Sequence, residues 1–131
     1  MGFLRSYEVQ IYAAARIVFG FLFLSHGVQK FMAAAPPESM PAPMFWAAAI
    51  VELVGGAMVM IGLMGGLAAF ICSGLMAAAY FIAHNNFGGG TQGLLPINNQ
   101  GELAVLYCWT FLFIAARGSG IWSVDSARGA A

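Results

Sequence analysis

Arg16, His26, Lys30, Glu52, His84 and Glu102 are ionisable side chains set inside, or at the rims of, long apolar runs. A charge at such depth is costly unless it has a partner or a task. Cations, imidazoles and carboxylates in that setting can relay protons, hold the polar end of a ligand, or fasten helices to one another. Arg16, His26 and Lys30 share one run, and at about 100° per residue they fall on a single helical stripe with Phe19, Gly20, Phe23 and Gly27. Glu52 shares its stripe with Ala48, Ala49, Gly55 and Gly56, small residues that let neighbouring helix backbones approach. Ser73, Ala77, Tyr80 and His84 form a second polar stripe. Glu102 heads a face that continues through Val105, Trp109 and Leu112.

The elements that must carry these residues are membrane helices. Hydrophobic residues make up 61% of the chain and charged ones 8%, with a mean hydropathy of +0.83, far more apolar than a soluble domain of 131 residues tolerates. Crossing a hydrocarbon core of about 30 Å takes around 20 residues. Four stretches come near that length, about residues 9–32, 44–63, 66–85 and 99–117. The expected fold is all-α: a polytopic membrane protein, a single domain over residues 1–131, with four transmembrane helices in an antiparallel bundle. Pro36, Pro37, Pro41 and Pro43 separate the first two spans, Gly62, Gly65 and Gly66 the next two, and a glycine-rich connection, Asn86 to Asn98, precedes the last.

Arg5, Arg117 and Arg128 flank the side shared by both termini, while the opposite side has only Lys30, so the positive-inside rule places both termini in the cytoplasm. Trp46, Trp122, Tyr7 and Tyr12 lie near span ends, as interfacial aromatics do. At 1.5 Å per residue, Lys30, His84 and Glu102 stand roughly 10–13 Å toward the outer face, His26 about 7 Å and Glu52 about 3 Å, with Arg16 about 7 Å into the inner half. Helical side chains lean toward their own N-terminus. On that basis His26 is expected to meet Glu52, and Lys30 to meet Glu102. Other readings stand beside these. Arg16 either snorkels to headgroups or ties helix ends together, Lys30 and His84 serve either the interface or a site, and Asn99 with Glu102 has the spacing of a capping box. Glu52 is too deep to snorkel, and it and His26 lead the site candidates, with Lys30, His84, Glu102 and Tyr80 beside them.

Several chemistries fit poorly. Five basic against five acidic residues offers no electrostatic case for nucleic acid. The connection from Asn86 lacks the Gly-Lys-Ser/Thr ending of a phosphate loop. Two histidines at different depths make a weak bis-His haem set, and with neither cysteine placed beside them a zinc or copper site lacks ligands, so no metal is expected. Cys72 and Cys108 read as buried packing thiols more readily than as a redox pair. The first run has small residues after it, Ala33 to Ala35, but is too long and too charged for a signal peptide and is expected to be retained. The short Met1-Gly2…Ser6 match to a myristoylation pattern carries little weight.

The order Arg16-Ile-Val-Phe-Gly20, Ser25-His26-Gly27-Val28-Gln29-Lys30-Phe31, Glu52-Leu-Val-Gly55-Gly56 with Gly62-Leu63, Gly101-Glu102-Leu103-Ala104 to Tyr107, and Gly118-Ser-Gly120-Ile-Trp122-Ser123-Val-Asp125 resembles the DoxX family of small bacterial and archaeal membrane proteins. That resemblance covers nearly the whole chain. It implies a four-helix bundle of the bacterial or archaeal cytoplasmic membrane, related to subunits of a terminal quinol oxidase and of thiosulfate:quinone oxidoreductase. The family's polar positions correspond to Arg16, His26, Gln29, Lys30, Glu52 and Glu102, with His84 at a position often polar.

Three functions follow as expectations. One is an accessory or quinone-contacting subunit of a membrane redox complex, with His26, Lys30, Tyr80 and His84 as donors to a quinone and Glu52 as proton carrier. Another is a non-enzymatic interaction subunit, docking other membrane subunits or its own copies through its helices. A small proton or solute carrier ranks last, since no inverted repeat is visible.

Overall fold

The structure is a computed structural model that describes residues 1–84 and 89–131, and within them every regular element is helical. A short helix, α1 (Gly2–Arg5), precedes α2 (Glu8–Ala33). The chain then turns at Ala34, whose φ of 59° ends the helix in the left-handed region. Pro41 stands at the N-cap of α3 (Ala42–Ile50), with Pro43 in its first turn, where a missing N–H costs nothing. The helix widens into a π-helical turn, Val51–Gly55, and returns to α-helical form as α4 (Gly56–Ile61). Gly62, at φ 70°, closes it.

Past this tight turn runs α5 (Gly65–Ala79), which also ends in a π-helical turn, Tyr80–His84. Two short helices follow the undescribed residues, α6 (Gly90–Leu94) and α7 (Pro96–Asn99). Then come α8 (Glu102–Arg117) and a C-terminal turn of helix, α9 (Val124–Ala127). Among the described residues three continuous helices are long and apolar enough to cross a membrane: Glu8–Ala33, Ala42–Ile61 and Gly65–His84. Helix α8 has 16 residues, about 24 Å at 1.5 Å each.

That shortfall corrects the expected start of the last span at Asn99. Asn99 belongs to α7, and its Oδ1 accepts from the Gly101 N–H at 2.9 Å, so Gly101, not Asn99, caps α8. The capping box with Glu102 does not form. Asn99 Nδ2 instead donates to the Gly93 carbonyl and the Tyr80 hydroxyl, which ties α6 and α7 to the end of α5. Part of the Asn86–Asn98 connection, and Asn85 at the end of the third expected span, lie outside the described residues.

Glycines set the closest helix approach. A Cβ on Gly20 would stand 2.5 Å from the Met60 nitrogen, one on Gly27 2.5 Å from the Leu53 nitrogen, and one on Gly56 2.5 Å from the Leu24 nitrogen. Backbone lies against backbone along the seam between α2 and the α3–α4 run, so any side chain there would force the helices apart. Gly55 faces the other way, onto the Cys72 sulfur of α5. On the far side α5 packs along α8. Between these layers lies a core of Phe23, Val59, Ala69, Cys72, Phe111 and Ile114. The surface is apolar too: Phe21, Leu22, Ile50, Phe70, Phe81 and Phe113 are all exposed, as lipid-facing positions require.

Candidate functional site

Helix α2 places Phe23, His26 and Lys30 along one side, at spacings of three and four residues that bring side chains onto a common face. Opposite them the π-helical turn holds Glu52, buried to 4% exposure. Lys30 Nζ stands 2.6 Å from each carboxylate oxygen of Glu52, a bifurcated, charge-assisted contact. This corrects both expected pairings. Two long side chains reach across a separation that comparing backbone positions alone leaves open. Glu102, by contrast, is exposed at the first turn of α8 and has no ion pair among the described residues.

The ion pair stands between two hollows. One, of about 230 Å³, is bounded by His26, Lys30, Glu52, Met76, His84 and Tyr107. The other, of about 170 Å³, is walled by Met44, Ala48, Leu75 and Ile82 and is almost wholly apolar apart from the same Lys30 and Glu52. Below the first lies an aromatic stack. The Tyr107 and Phe111 rings are 5.6 Å apart and nearly parallel, Phe23 meets Phe111 edge-on at 4.7 Å, and His26 meets Tyr107 edge-on at 6.0 Å.

Four of the sequence candidates, His26, Lys30, Glu52 and His84, therefore border one cavity. Two do not. Tyr80 donates instead to the Leu94 carbonyl, and Glu102 sits on the surface. The buried face of the last helix lies nearly opposite the expected one, about two residues' rotation away at about 100° per residue: Trp109 and Leu112 are exposed, while Ala104, Tyr107, Phe111 and Ile114 are buried. Tyr107 was missed for that reason. Its spacing of three from Ala104 and four from Phe111 is the signal that would have found it. Among the described residues no three His, Cys, Asp or Glu side chains stand together as a metal-ligand group, and both cysteines are free thiols.

Arg16 belongs to a separate cluster. It is fully buried, and its Nη1 donates to the Val59 and Met60 carbonyls at 2.7 Å while Nη2 donates to Ile121 and Trp122 at 3.2 and 2.8 Å. Snorkelling is thus excluded, and the tie between helix ends is what forms. The cation meets the last carbonyls of α4, the negative end of that helix. From the opposite direction Asp125 accepts from the Met64 and Gly65 N–H groups and from the Ser119 hydroxyl, at 2.9, 3.0 and 2.6 Å. Those donors hold its carboxyl below its ordinary pKa of 3.8, the Ser119 hydroxyl first among them. Tyr12 joins the same end by donating to the Gly118 carbonyl at 2.5 Å, so it is a core residue and not an interfacial one.

Fold and site together define a polytopic membrane protein with a lysine–glutamate pair buried beside a small polar cavity. The chain belongs to the DoxX family, whose model matches residues 11–85 and so takes in His26, Lys30, Glu52 and His84. It is also 37% identical, over 133 residues and 96% of each chain, to a protein of Haemophilus influenzae described as uncharacterized. No solved structure matches it.

Proposed function

We propose that this protein is a quinone-contacting or accessory subunit of a membrane redox complex, with four transmembrane helices forming one antiparallel bundle in the cytoplasmic membrane and both termini in the cytoplasm. The observation that carries this reading is the Lys30–Glu52 pair at the border of the cavity shared with His26, His84 and Tyr107. A quinone ring needs an apolar slot and one or two donors for its carbonyl oxygens. Both requirements are met. Tyr107, His26 and His84 offer O–H and N–H groups, and the Tyr107–Phe111–Phe23 stack offers flat apolar surface. At about 230 Å³ the cavity is smaller than the roughly 300–1,000 Å³ of drug-sized pockets, so it suits a ring, with an isoprenoid tail continuing along the lipid-facing surface. When bound, a quinone supplies two-electron, two-proton redox capacity.

The chain's own part is to bind and orient. Lys30 holds the Glu52 carboxyl group in place at the cavity border, and Glu52 in turn keeps Lys30 from extending to the headgroups. His26 and His84, beside that pair, are bases through which a proton can pass between cavity and surface. The alternative is a non-enzymatic interaction subunit, and the closure of the Lys30–Glu52 pair favours it to the extent that a satisfied pair also fixes helix register.

Gentle purification followed by lipid extraction and mass spectrometry tests the reading. Quinone is expected to co-purify in near-stoichiometric amount and to fall sharply in Tyr107→Phe and His26→Ala variants that remain monodisperse. Quinone content no higher than that of an unrelated protein from the same membrane would refute it. Reduced assembly in Glu52→Gln with unchanged quinone-dependent turnover would favour the interaction subunit.

A further inference from the structure

The end of the molecule opposite the Lys30–Glu52 pair carries a second feature that the proposed function leaves unused. A groove of about 520 Å³ opens between α1, α2 and α8, with Arg5, Glu8 and Arg117 at its mouth and Leu4, Tyr12 and Phe113 along it. It shares Tyr12, Ala15 and Phe113 with a hollow of about 400 Å³ that reaches Arg16, Phe19 and Trp109. The two form a continuous path down the α2–α8 seam, charged at the mouth and apolar beyond it.

We propose that this groove binds one anionic phospholipid, with its phosphate between Arg5 and Arg117 and an acyl chain lying along Tyr12, Phe113 and Trp109. The order of polarity along the groove is that of a phospholipid entered from its headgroup end. Two arginines against one glutamate leave the mouth net positive, which matches a phosphate and not a neutral partner. Arg117 is already positioned for this. Its guanidinium sits 4.7 Å above the Tyr12 ring, and only Nη1 is engaged by Glu8, at 3.0 Å. That pair is open to solvent on both sides, with side-chain exposures of 37% and 60%, so it yields readily to a stronger anion. The remaining guanidinium N–H groups present the fork that suits phosphate oxygens.

The exposed apolar residues of α1, Phe3 and Leu4, extend the same surface at headgroup level, where a short segment lies flat.

Native mass spectrometry of the delipidated full-length chain, titrated with phosphatidylglycerol or phosphatidylcholine, tests the proposal. Phosphatidylglycerol should be retained preferentially, and R5Q and R117Q should each reduce that preference by about fivefold, while R117K, which keeps the charge, should lose less. A W46F/W122F variant leaves Trp109 as the reporter in nanodiscs containing excess phosphatidylcholine. There, a small fraction of phosphatidylglycerol with brominated chains should quench it more than the same fraction of brominated phosphatidylcholine. Equal retention of the two lipids, or a preference unchanged in R5Q/R117Q, would overturn the proposal, as would equal quenching. None of these results bears on quinone binding at the opposite end, so the two readings stand or fall separately.

Discussion

Lys30 and Glu52, 22 residues apart on different helices, meet with the ammonium 2.6 Å from both carboxylate oxygens, and Glu52 does so from within a π-helical turn. π-Helical turns are rare and recur at functional sites, because the extra residue per turn re-aims a side chain at a cost that packing must offset. Both π-helical turns among the described residues carry cavity residues, Glu52 in one and His84 in the other. Bringing two charges into an apolar interior is expensive, and their attraction only roughly balances the loss of water. Such a pair therefore contributes specificity or function more than stability.

The first prediction tests that balance. Glu52→Gln should lower unfolding stability in mild detergent by about 2 kcal/mol, less than the roughly 3–5 kcal/mol of a fully enclosed pair because the Lys30 side chain is 27% exposed. Lys30→Met with Glu52→Leu should recover most of the loss. A double variant as unstable as the sum of the singles would show that the two groups are not coupled.

Tyr107 separates ligand contact from packing. Tyr107→Phe keeps the stack on Phe111 and should change the melting temperature little, while reducing quinone retention. Tyr107→Ala, by emptying a core position, should cost about 3–5 kcal/mol as large aromatic truncations do. Thermal melts beside quinone content per protein would check both.

At the α2 seam, Gly27→Ala should be destabilising by about 1–3 kcal/mol or more, since its new methyl group meets the Leu53 backbone, which cannot give way as a side chain could. Gly74, in mid-helix with nothing within 4 Å of an added Cβ, is the matched control. There alanine should gain about 0.5–1 kcal/mol. Equal effects at the two sites would mean that the seam is not tightly packed.

Arg16→Gln should release the C-terminal segment. Four carbonyls, from Val59, Met60, Ile121 and Trp122, lose a charged donor, a loss of about 3 kcal/mol or more by the usual worth of such bonds. Arg16→Lys should recover only part of it, because an ammonium cannot span the four acceptors as the planar fork does. Faster cleavage after Arg117 in limited trypsin digestion is the expected readout.

Asp125 makes the same junction sensitive to acid. Its carboxyl is held below the ordinary 3.8, so the folded state binds its proton less readily than the unfolded chain does. The stabilisation is accordingly present in full above pH 3.8 and is lost as pH falls below that value through the lowered folded pKa. Asp125→Asn should melt earlier than the parent at pH 7, and the gap should narrow toward pH 3. A gap independent of pH would show that ionisation is not what matters there.

Composition and hydropathy were enough to read an all-helical membrane protein, and three spanning helices lie within about two residues of where the apolar runs place them. The last helix starts at Glu102 and not at the expected Asn99, because Asn99 ends a short turn of helix of its own, closed by Gln100 at φ 58°. His26, Lys30, Glu52 and His84 were legible as site candidates because ionisable residues stand out in an apolar run. Their partners were not. Depth arithmetic treats each side chain as a point on its helix, whereas a lysine reaches across several ångströms and a π-helical turn rotates a carboxylate out of its expected direction.

By itself, then, the sequence determined which residues had to be buried in lipid or protein and which charges demanded a reason to be there, since burial of apolar area and the cost of an unpartnered charge are properties of residue type. Only the tertiary structure decided that Lys30 takes Glu52, that Tyr107 and not Trp109 faces the cavity, and that Arg16 and Asp125 fasten the C-terminal segment to either side of the α4–α5 turn. Those outcomes depend on helix rotation and on how closely Gly20, Gly27 and Gly56 let α2 approach its neighbour. Such distances of a few ångströms are set jointly by residues far apart in the chain, and no local pattern encodes them.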